Sequence, residues 1–442
     1  MSRCLYWFRN DLRLDDNPGL HAACQHKEVI PVVIIDPSYW SKDQWGTVKT
    51  GYFRTKFYLE SIQDLRNNIL KRGGQLFVLV GTPVDIIKNL VSTWDCDIVI
   101  AQSEHTYDEQ NVQKAVKNEL STKKVGFDLV EGMTLYHPHD LEISIKNIPF
   151  VFTNFRKHLE KQSDVREPID APSAINSPKS MVSNTVPDLH DFIDQFKLST
   201  SVNDARTVFP FKGGESSALQ RANSYLWDTM NLKSYKKTRN GLIGIDYSSK
   251  FSSWLANGSI SPRRIFSEVK RFEAKFGSCQ NTYWLIFELI WRDFHRFNAM
   301  KFGKKIFLKH GLTDNANTKN INQTDFEKWK NGKTADAFVN SNMKELQQTG
   351  FMSNRGRQNV ASYLVHDLDV DWRLGASWFE HMLIDYDVAS NTGNWLYVAG
   401  LGNDPRAGRK FNTVRQASMY DRDGQYRSLW NDGVVNLKLT FE

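Results

Sequence analysis

The segment Phe287-Glu288-Leu289-Ile290-Trp291-Arg292-Asp293-Phe294-His295-Arg296-Phe297 joins a carboxylate, an indole, a guanidinium and an imidazole to an apolar spine. At helical spacing Glu288, Trp291, Arg292 and His295 share one face, at i, i+3, i+4 and i+7, away from the Phe287/Ile290/Phe294/Phe297 ridge. An i,i+4 Glu–Arg pair on its own is a surface contact worth about 0.3–0.5 kcal/mol. The same face would equally floor a pocket for a planar, polar ligand. Spacing alone favours the surface pair.

Three further stretches hold chemistry-bearing groups. Ser248-Ser249-Lys250-Phe251-Ser252 sets three hydroxyls and a cation ahead of Trp254-Leu255. Free N–H groups at such a helix start can hold phosphate oxygens, although serines more often simply cap the helix. Gly350-Phe351-Met352-Ser353-Asn354-Arg355-Gly356-Arg357-Gln358-Asn359 clusters polar groups at the start of a helix that then turns apolar. In Leu383–Asn391, closely followed by Gly393-Asn394-Trp395-Leu396-Tyr397, Asp385 and Asp387 stand among Ile, Val and Ala. Asp is most often a cap or turn former. With Arg357 upstream, these acids could instead form a buried ion pair, which costs desolvation and is more often retained at a site than for stability. Asp421-Arg422-Asp423-Gly424 lacks the later ligands of a calcium loop, and His137-Pro138-His139 is too short for a metal site. No metal is expected.

The elements that must position these groups follow from hydrophobic period. Short apolar, β-branched runs at Cys4–Phe8, Val29–Ile35, Leu76–Val80, Ile98–Ala101 and Phe127–Val130 alternate with helical patterns such as Tyr52–Lys71 and Val84–Trp94. That alternation predicts an amino-terminal, doubly wound parallel α/β domain over residues 1–132. No GxGxxG turn follows the first run, so an ordinary dinucleotide site is not expected there. Residues 133–214 read as an interdomain connector, with Asp164–Pro187 rich in Pro, Ser, Asn and Asp and laid over the surface. From Glu215 the period stays helical, which predicts an all-α carboxy-terminal domain over 215–430 and a short tail over 431–442.

With 442 residues, 40% hydrophobic and 24% charged, a disordered or fibrous chain is excluded. No run approaches the ~20 apolar residues that cross a bilayer, and Met1–Asp16 is charged too soon for a secretory signal. A cytoplasmic protein without membrane contact is expected. Cys4, Cys24, Cys96 and Cys279 lie too far apart for a disulfide framework or zinc ribbon. The net charge of +7 permits a polyanion partner without demanding one. Thirteen Trp, 27 Phe and 15 Tyr must be mostly core, yet Trp at this density also suits a flat ligand or electron traffic.

Together and in this order, these segments resemble the photolyase/cryptochrome family. Tyr6-Trp7-Phe8-Arg9-Asn10-Asp11-Leu12-Arg13 resembles its first strand and turn, and the resemblance runs from about Leu5 to Trp430. Ser353–Ser362 and Trp395-Leu396-Tyr397 are most similar to the DASH cryptochromes; double-strand dimer photolyases usually have a second Trp where Tyr397 stands. The resemblance implies a U-shaped FAD buried in the helical domain. Tyr235 and the loop Ser248, Ser249, Lys250, Phe251 and Ser252 would hold its phosphates and ribityl chain. Arg292 and Asn354 would line the pocket, with Asp385, Asp387 and Asn391 facing the isoalloxazine or adenine, and Arg357 paired with Asp385 behind the ring. Asn391, a neutral amide, would sit near the flavin N5.

The implied enzyme is a blue-light-driven deoxyribodipyrimidine photo-lyase of DASH type. Excited reduced flavin donates an electron to a cyclobutane pyrimidine dimer, the ring splits and the electron returns. Glu288, beside the cofactor, would hydrogen-bond the dimer, and Trp291 would pack against its bases. Asn354, Arg355, Gln358 and Tyr397 would complete the cavity. Extruding the lesion costs a few kcal/mol in a duplex and less in a single strand, so Tyr397 in place of a stacking Trp leads to an expected preference for single-stranded DNA. RNA is a second candidate partner, and a monomer is expected. The alternative is a blue-light photoreceptor that binds nucleic acid or signals without repair; Glu288, Asn354 and Asn391 favour the enzyme. The family's (6-4) branch usually places His in the lesion pocket, and none stands in Asn354–Gln358.

The family also carries a Trp chain for photoreduction. Trp395 and Trp372 match its inner and middle members, while the outer position falls on Lys319, so a slower or rerouted photoreduction is expected. DASH relatives use 5,10-methenyltetrahydrofolate as an antenna between the domains, and Glu60 and Glu109 are the matching acids.

Overall fold

The structure, a computed structural model, describes residues 2–201, 204–313, 319, 321–403 and 408–431. Strands Arg3–Phe8 (β1), Glu28–Ile35 (β2), Phe77–Val80 (β3), Ile98–Gln102 (β4) and Gly126–Val130 (β5) form one parallel sheet in the order β3-β2-β1-β4-β5. All five expected runs are strands, with ends shifted by a single residue. Leu5, Tyr6, Ile30, Val32 and Val33 are fully buried, because the sheet is covered on both faces; that is why β1 and β2 read as continuous apolar runs and not as alternation. Helices Tyr52–Lys71 (α1), Pro83–Thr93 (α2) and Tyr107–Thr122 (α3) pack around it. The chain runs outward from β1 to β3, then returns to place β4 on the other side of β1. The carboxyl ends of β1 and β4 therefore flank the crevice that a doubly wound sheet opens at its switch point.

Residues 164–187 contain no helix or strand. They are not laid loosely on the surface, however. Ile175 and Met181 are buried in the two layers that sandwich the sheet. The Val29 amide donates to Asn176 O at 2.8 Å, and the Val78 amide to Asn184 Oδ1 at 2.7 Å. The segment thus pairs the open edge of β3 with side-chain amide groups. Two apolar anchors among many polar residues were too sparse to show as a pattern.

The helical half begins at Glu215–Asn223 and contains Gln280–Phe302 (α4), Ala337–Thr349 (α5), Asn354–Ser362 (α6), Trp372–Met382 (α7), Val388–Ala399 (α8) and Gln425–Asn431 (α9). Ile290, Phe294 and Phe297 of α4 are buried with Phe152 and Phe155, as the helical ridge requires. Of the tail expected over 431–442, all but Asn431 lies outside the described residues. No helix among the described residues is long and apolar enough to cross a membrane.

The two halves interlock through polar groups removed from water. Arg263 grips Asp16 with both guanidinium arms, at 3.0 and 2.7 Å, and Glu215 accepts the amides of Leu14 and Asp15. Asp293 of α4 is fully buried and accepts the amides of Leu135 at 2.9 Å and Tyr136 at 2.8 Å. Truncating it strands two buried donors. Asp293→Ala is expected to lower unfolding stability by about 2–4 kcal/mol, read as a lower urea midpoint; a change below about 0.5 kcal/mol would show that those amides find other partners.

Candidate active site

Helices α4, α6 and α8 close on a cavity of about 330 Å³. Glu288, Trp291, Arg292 and His295 of α4 line one wall, so the shared face faces a pocket and not solvent. Asn354, Arg357 and Gln358 of α6 line a second, and Asn391, Asn394, Trp395 and Tyr397 of α8 a third, with Asp385 and Asp387 in the loop before α8. Both α6 and α8 begin at the cavity because capping residues stop them there. Ser353 Oγ accepts the Gly356 amide at 3.1 Å, and Asp387 Oδ1 accepts the Ser390 amide at 2.8 Å. Two positive helix ends therefore face the same space, which favours an anionic or electron-rich ligand.

The charges are arranged in pairs. Asp385 Oδ2 accepts from Arg357 at 2.9 Å, the pair expected from sequence, while Asp385 Oδ1 is buried without a partner. Asp387 pairs with Arg296. Burial alone would raise the Asp387 pKa, but Arg296 and Arg292 hold it below the usual carboxylate value. Glu288 pairs with Arg239. Here burial prevails over that partner and pushes the carboxyl up. Arg292 donates to Met133 O and, at 3.1 Å, to Leu255 O, so its fork joins the backbone of both halves beneath the cavity.

Trp291 lies flat on Phe152, with ring centroids 3.6 Å apart and planes 10° from parallel, and meets Tyr397 edge-on at 6.0 Å. Arg409 sits over the Tyr397 ring at 4.4 Å. Asn391 Nδ2 donates to Ala376 O at 3.1 Å. Asn354 is exposed at the mouth. Arg355 is not among the cavity-lining residues; it donates to Gln358 at 2.9 Å and stacks over Tyr420 at 4.8 Å.

Tyr235 and the Ser248–Ser252 loop also stand outside this lining. Arg221 holds the carbonyls of Ser249 and Ser248, at 3.2 and 3.1 Å, while Ser249, Lys250 and Phe251 are buried and Ser252 is exposed. Tyr235 is buried, with Arg239 and Ser249 as side-chain partners.

Trp395 is buried at the cavity wall, and its ring neighbours are Phe379 at 5.1 Å and Trp329 at 6.3 Å. Trp372 shares the same apolar cluster and donates to Lys309 O at 3.1 Å. Trp395 rests against Gly375, one turn along α7 from Trp372; a Cβ there would lie 2.2 Å from the indole. Lys319 forms an ion pair with Asp369.

A second cavity, of about 170 Å³, lies where the carboxyl ends of the strands meet the helical half. Arg9, Arg54, Glu104 and Glu109 line it with Tyr39 and Trp40. Glu104 Oε2 is buried without a partner, and burial followed by the Glu109 charge pushes this carboxyl up to about 8. Glu60 is not in that lining; its carboxylate accepts the Gly213 amide at 2.8 Å.

Against curated proteins, 97% of the chain is 46% identical to the cryptochrome DASH of Xenopus laevis, covering 82% of that protein. The chain belongs to the photolyase/cryptochrome family. Residues 4–173 match the DNA photolyase domain and residues 284–439 the FAD binding domain of DNA photolyase. The crystal structure of a Synechocystis sp. cryptochrome superposes with a TM-score of 0.93 at 43% identity, over 97% of this chain and 88% of that one. A class III photolyase from Agrobacterium tumefaciens superposes at 0.83 and 28% identity, over 97% and 86%. FAD is the cofactor of the helical domain. The larger cavity fits such a group: helix amino ends for negative charge, arginines beside it, and an unpartnered Asp385 oxygen for a ring N–H.

Arg239, Arg296 and Arg409 were not picked out from sequence as site residues, and His295 only as a member of the α4 face. Arg296 repeats Arg292 at i+4 on α4, which was a usable signal; Arg239 and Arg409 reach the site only through tertiary folding. His295 Nδ1 packs on Gly393, where a Cβ would approach to 2.1 Å, and burial lowers its pKa to about 4. The unfolded chain takes up this proton near pH 6.5, whereas the folded chain resists until about pH 4. Its contribution is complete above pH 6.5 and is lost as the pH falls through 4, by up to about 3 kcal/mol. The stability of the native chain should therefore fall more steeply between pH 7 and 4 than that of His295→Gln in urea titrations; parallel curves would refute a buried neutral imidazole.

Proposed function

We propose that this chain is a light-driven, FAD-dependent lyase that splits cyclobutane pyrimidine dimers, chiefly in single-stranded DNA. The observation that carries this reading is the shared cavity: a carboxylate and an immobilised indole, Glu288 and Trp291, stand on the wall of the space that Asp385 and Asn391 also face. Bound FAD supplies the electron under illumination. The chain's own groups bind, orient and exclude water.

Glu288, oriented by Arg239, offers an acceptor to a pyrimidine N–H, and its raised proton affinity suits a hydrogen bond shared with a lesion that gains negative charge. Trp291, pinned by Phe152, presents a fixed face for a base. Tyr397 gives a smaller face, so it offsets less of the unstacking cost in a duplex. Asn354, Gln358 and, from the rim, Arg355 complete the opening. On the cofactor side Arg357 steadies Asp385, Arg296 steadies Asp387, Asn391 presents a neutral amide, and Arg292 ties the floor to both halves. Tyr235 with Ser248, Ser249, Lys250, Phe251 and Ser252 extends this site to hold the phosphates.

Trp395 and Trp372 begin the route by which the cofactor is reduced, and because the outer position holds an ion-paired Lys319 with no aromatic ring, photoreduction is slower or rerouted. The second cavity takes the folate antenna. Its free Glu104 oxygen, with Glu109 beside it, suits pterin N–H donors. Glu60, bonded to Gly213, is withdrawn from that role. Residues 1–132 thus form the antenna unit, 133–214 the connector and 215–430 the FAD unit.

Illuminating the FAD-loaded protein with thymine-dimer oligonucleotides tests this reading. Repair is expected to run at least about tenfold faster in single strand than in duplex, since extrusion costs a few kcal/mol, and Glu288→Ala should slow it about 10²-fold. Equal rates would refute the strand preference; no repair in either would leave a photoreceptor as the function.

A further inference from the structure

Three buried polar atoms beneath the Ser248–Ser252 loop have no hydrogen-bond partner: Lys250 Nζ, Tyr247 OH and Glu345 Oε1. Lys250 holds a left-handed backbone, φ 65°, which a lysine keeps only when its surroundings fix it. Its ammonium lies 3.2 Å from the centre of the Tyr247 ring and 4.8 Å from that of Phe351. Burial pushes the Lys250 pKa well down and the Glu345 pKa up to about 7, and each is the strongest charged influence on the other. Such groups need fixed neighbours to stay in place.

Glu345 takes its hydrogen-bond neighbour from α9. Tyr426 of α9 is fully buried and donates to Glu345 Oε2 at 2.5 Å. The Tyr426 hydroxyl oxygen also lies 3.1 Å from Asn342 Oδ1. Asn342 in turn packs on Gly356, where a Cβ would come within 2.0 Å of its oxygen. Gly356 stands in the first turn of α6, between Asn354 and Arg357. One phenol therefore touches both Glu345, the strongest charged influence on Lys250, and Asn342, which packs on the first turn of α6. Apolar docking of α9 is supplied separately by Leu429 and Trp430, with Arg206 over the Trp430 ring at 4.1 Å. The hydroxyl is not needed to seat the helix.

We propose that α9 is a working part of the cofactor site: Tyr426, through Glu345 and Asn342, positions the Lys250 loop and the start of α6 so that they hold the FAD phosphates and ring. This rests on the reading that the Ser248–Ser252 loop receives the phosphates. Tyr426→Phe removes only the hydroxyl, and Glu345→Gln serves as a second variant. FAD affinity is measured by titrating the apoprotein, and amide hydrogen exchange of residues 248–252 is followed in the cofactor-free protein. Both variants should bind FAD about tenfold more weakly and exchange faster in the loop, with exchange in α9 unchanged. Lys250→Gln should weaken FAD binding at least as much. If Lys250→Gln weakens binding while Tyr426→Phe and Glu345→Gln alter neither readout, α9 is merely packed and the proposal fails. Faster exchange throughout α9 would mark lost docking and also overturn it. Unchanged affinity in Lys250→Gln would overturn the loop reading itself, and the proposal with it.

Discussion

Asp385 and Asp387, two residues apart and both removed from water, each need a cation, and the helical half is arranged to bring one to each. Arg357 comes from α6 and Arg296 from α4. Desolvating such pairs costs several kcal/mol per ion, so they persist only where geometry and further hydrogen bonds compensate. Meeting both demands at once fixes the angle between α4, α6 and α8, and the space left between these helices is the cavity. Asp387 serves twice, since its other oxygen caps α8 and starts the helix that presents Asn391, Trp395 and Tyr397. A cap, an ion pair and a cavity wall thus depend on one carboxylate.

The amino-terminal half holds this arrangement from outside. Met133, Leu135 and Tyr136 offer backbone groups to Arg292 and Asp293 on α4, and the turn after β1 is clasped by Arg263 and Glu215. The helix that carries Glu288 is consequently referenced to the parallel sheet as well as to its own neighbours. The second cavity is a product of the same junction, because it forms where the strand ends face Arg296 and Asp387. Tyr386 and Asp387 line both cavities, which gives a physical connection between the two spaces.

Much of this was legible from residue order. Five β-branched runs separated by helical ones dictate a parallel sheet, and the end of Tyr52–Lys71 was placed correctly because Gly73-Gly74 follows it. The Glu288, Trp291, Arg292 and His295 face was legible as a face, although spacing alone favoured solvent over a pocket. What decided against solvent was Phe152, more than a hundred residues earlier, whose ring stacks on Trp291. Arg239 with Glu288, Arg296 with Asp387, and Trp329 with Trp395 are likewise set by packing between distant segments, which no local period reports. The connector is polar and mostly exposed or half-buried, as its composition predicts, while Ile175 and Met181 anchor it to the layers on the sheet, which composition did not show.

The most direct test of the central assignment, that FAD occupies the space between these two ion pairs, is FAD binding to apoprotein bearing Asp385→Asn. This substitution keeps the shape and removes the charge opposite Arg357. The predicted result is FAD affinity at least about tenfold weaker, with a shifted absorption band for whatever flavin remains bound, since losing a charge-assisted hydrogen bond to a buried group costs about 1.5–3 kcal/mol. Unchanged affinity together with an unchanged flavin spectrum would place the cofactor elsewhere and contradict the assignment.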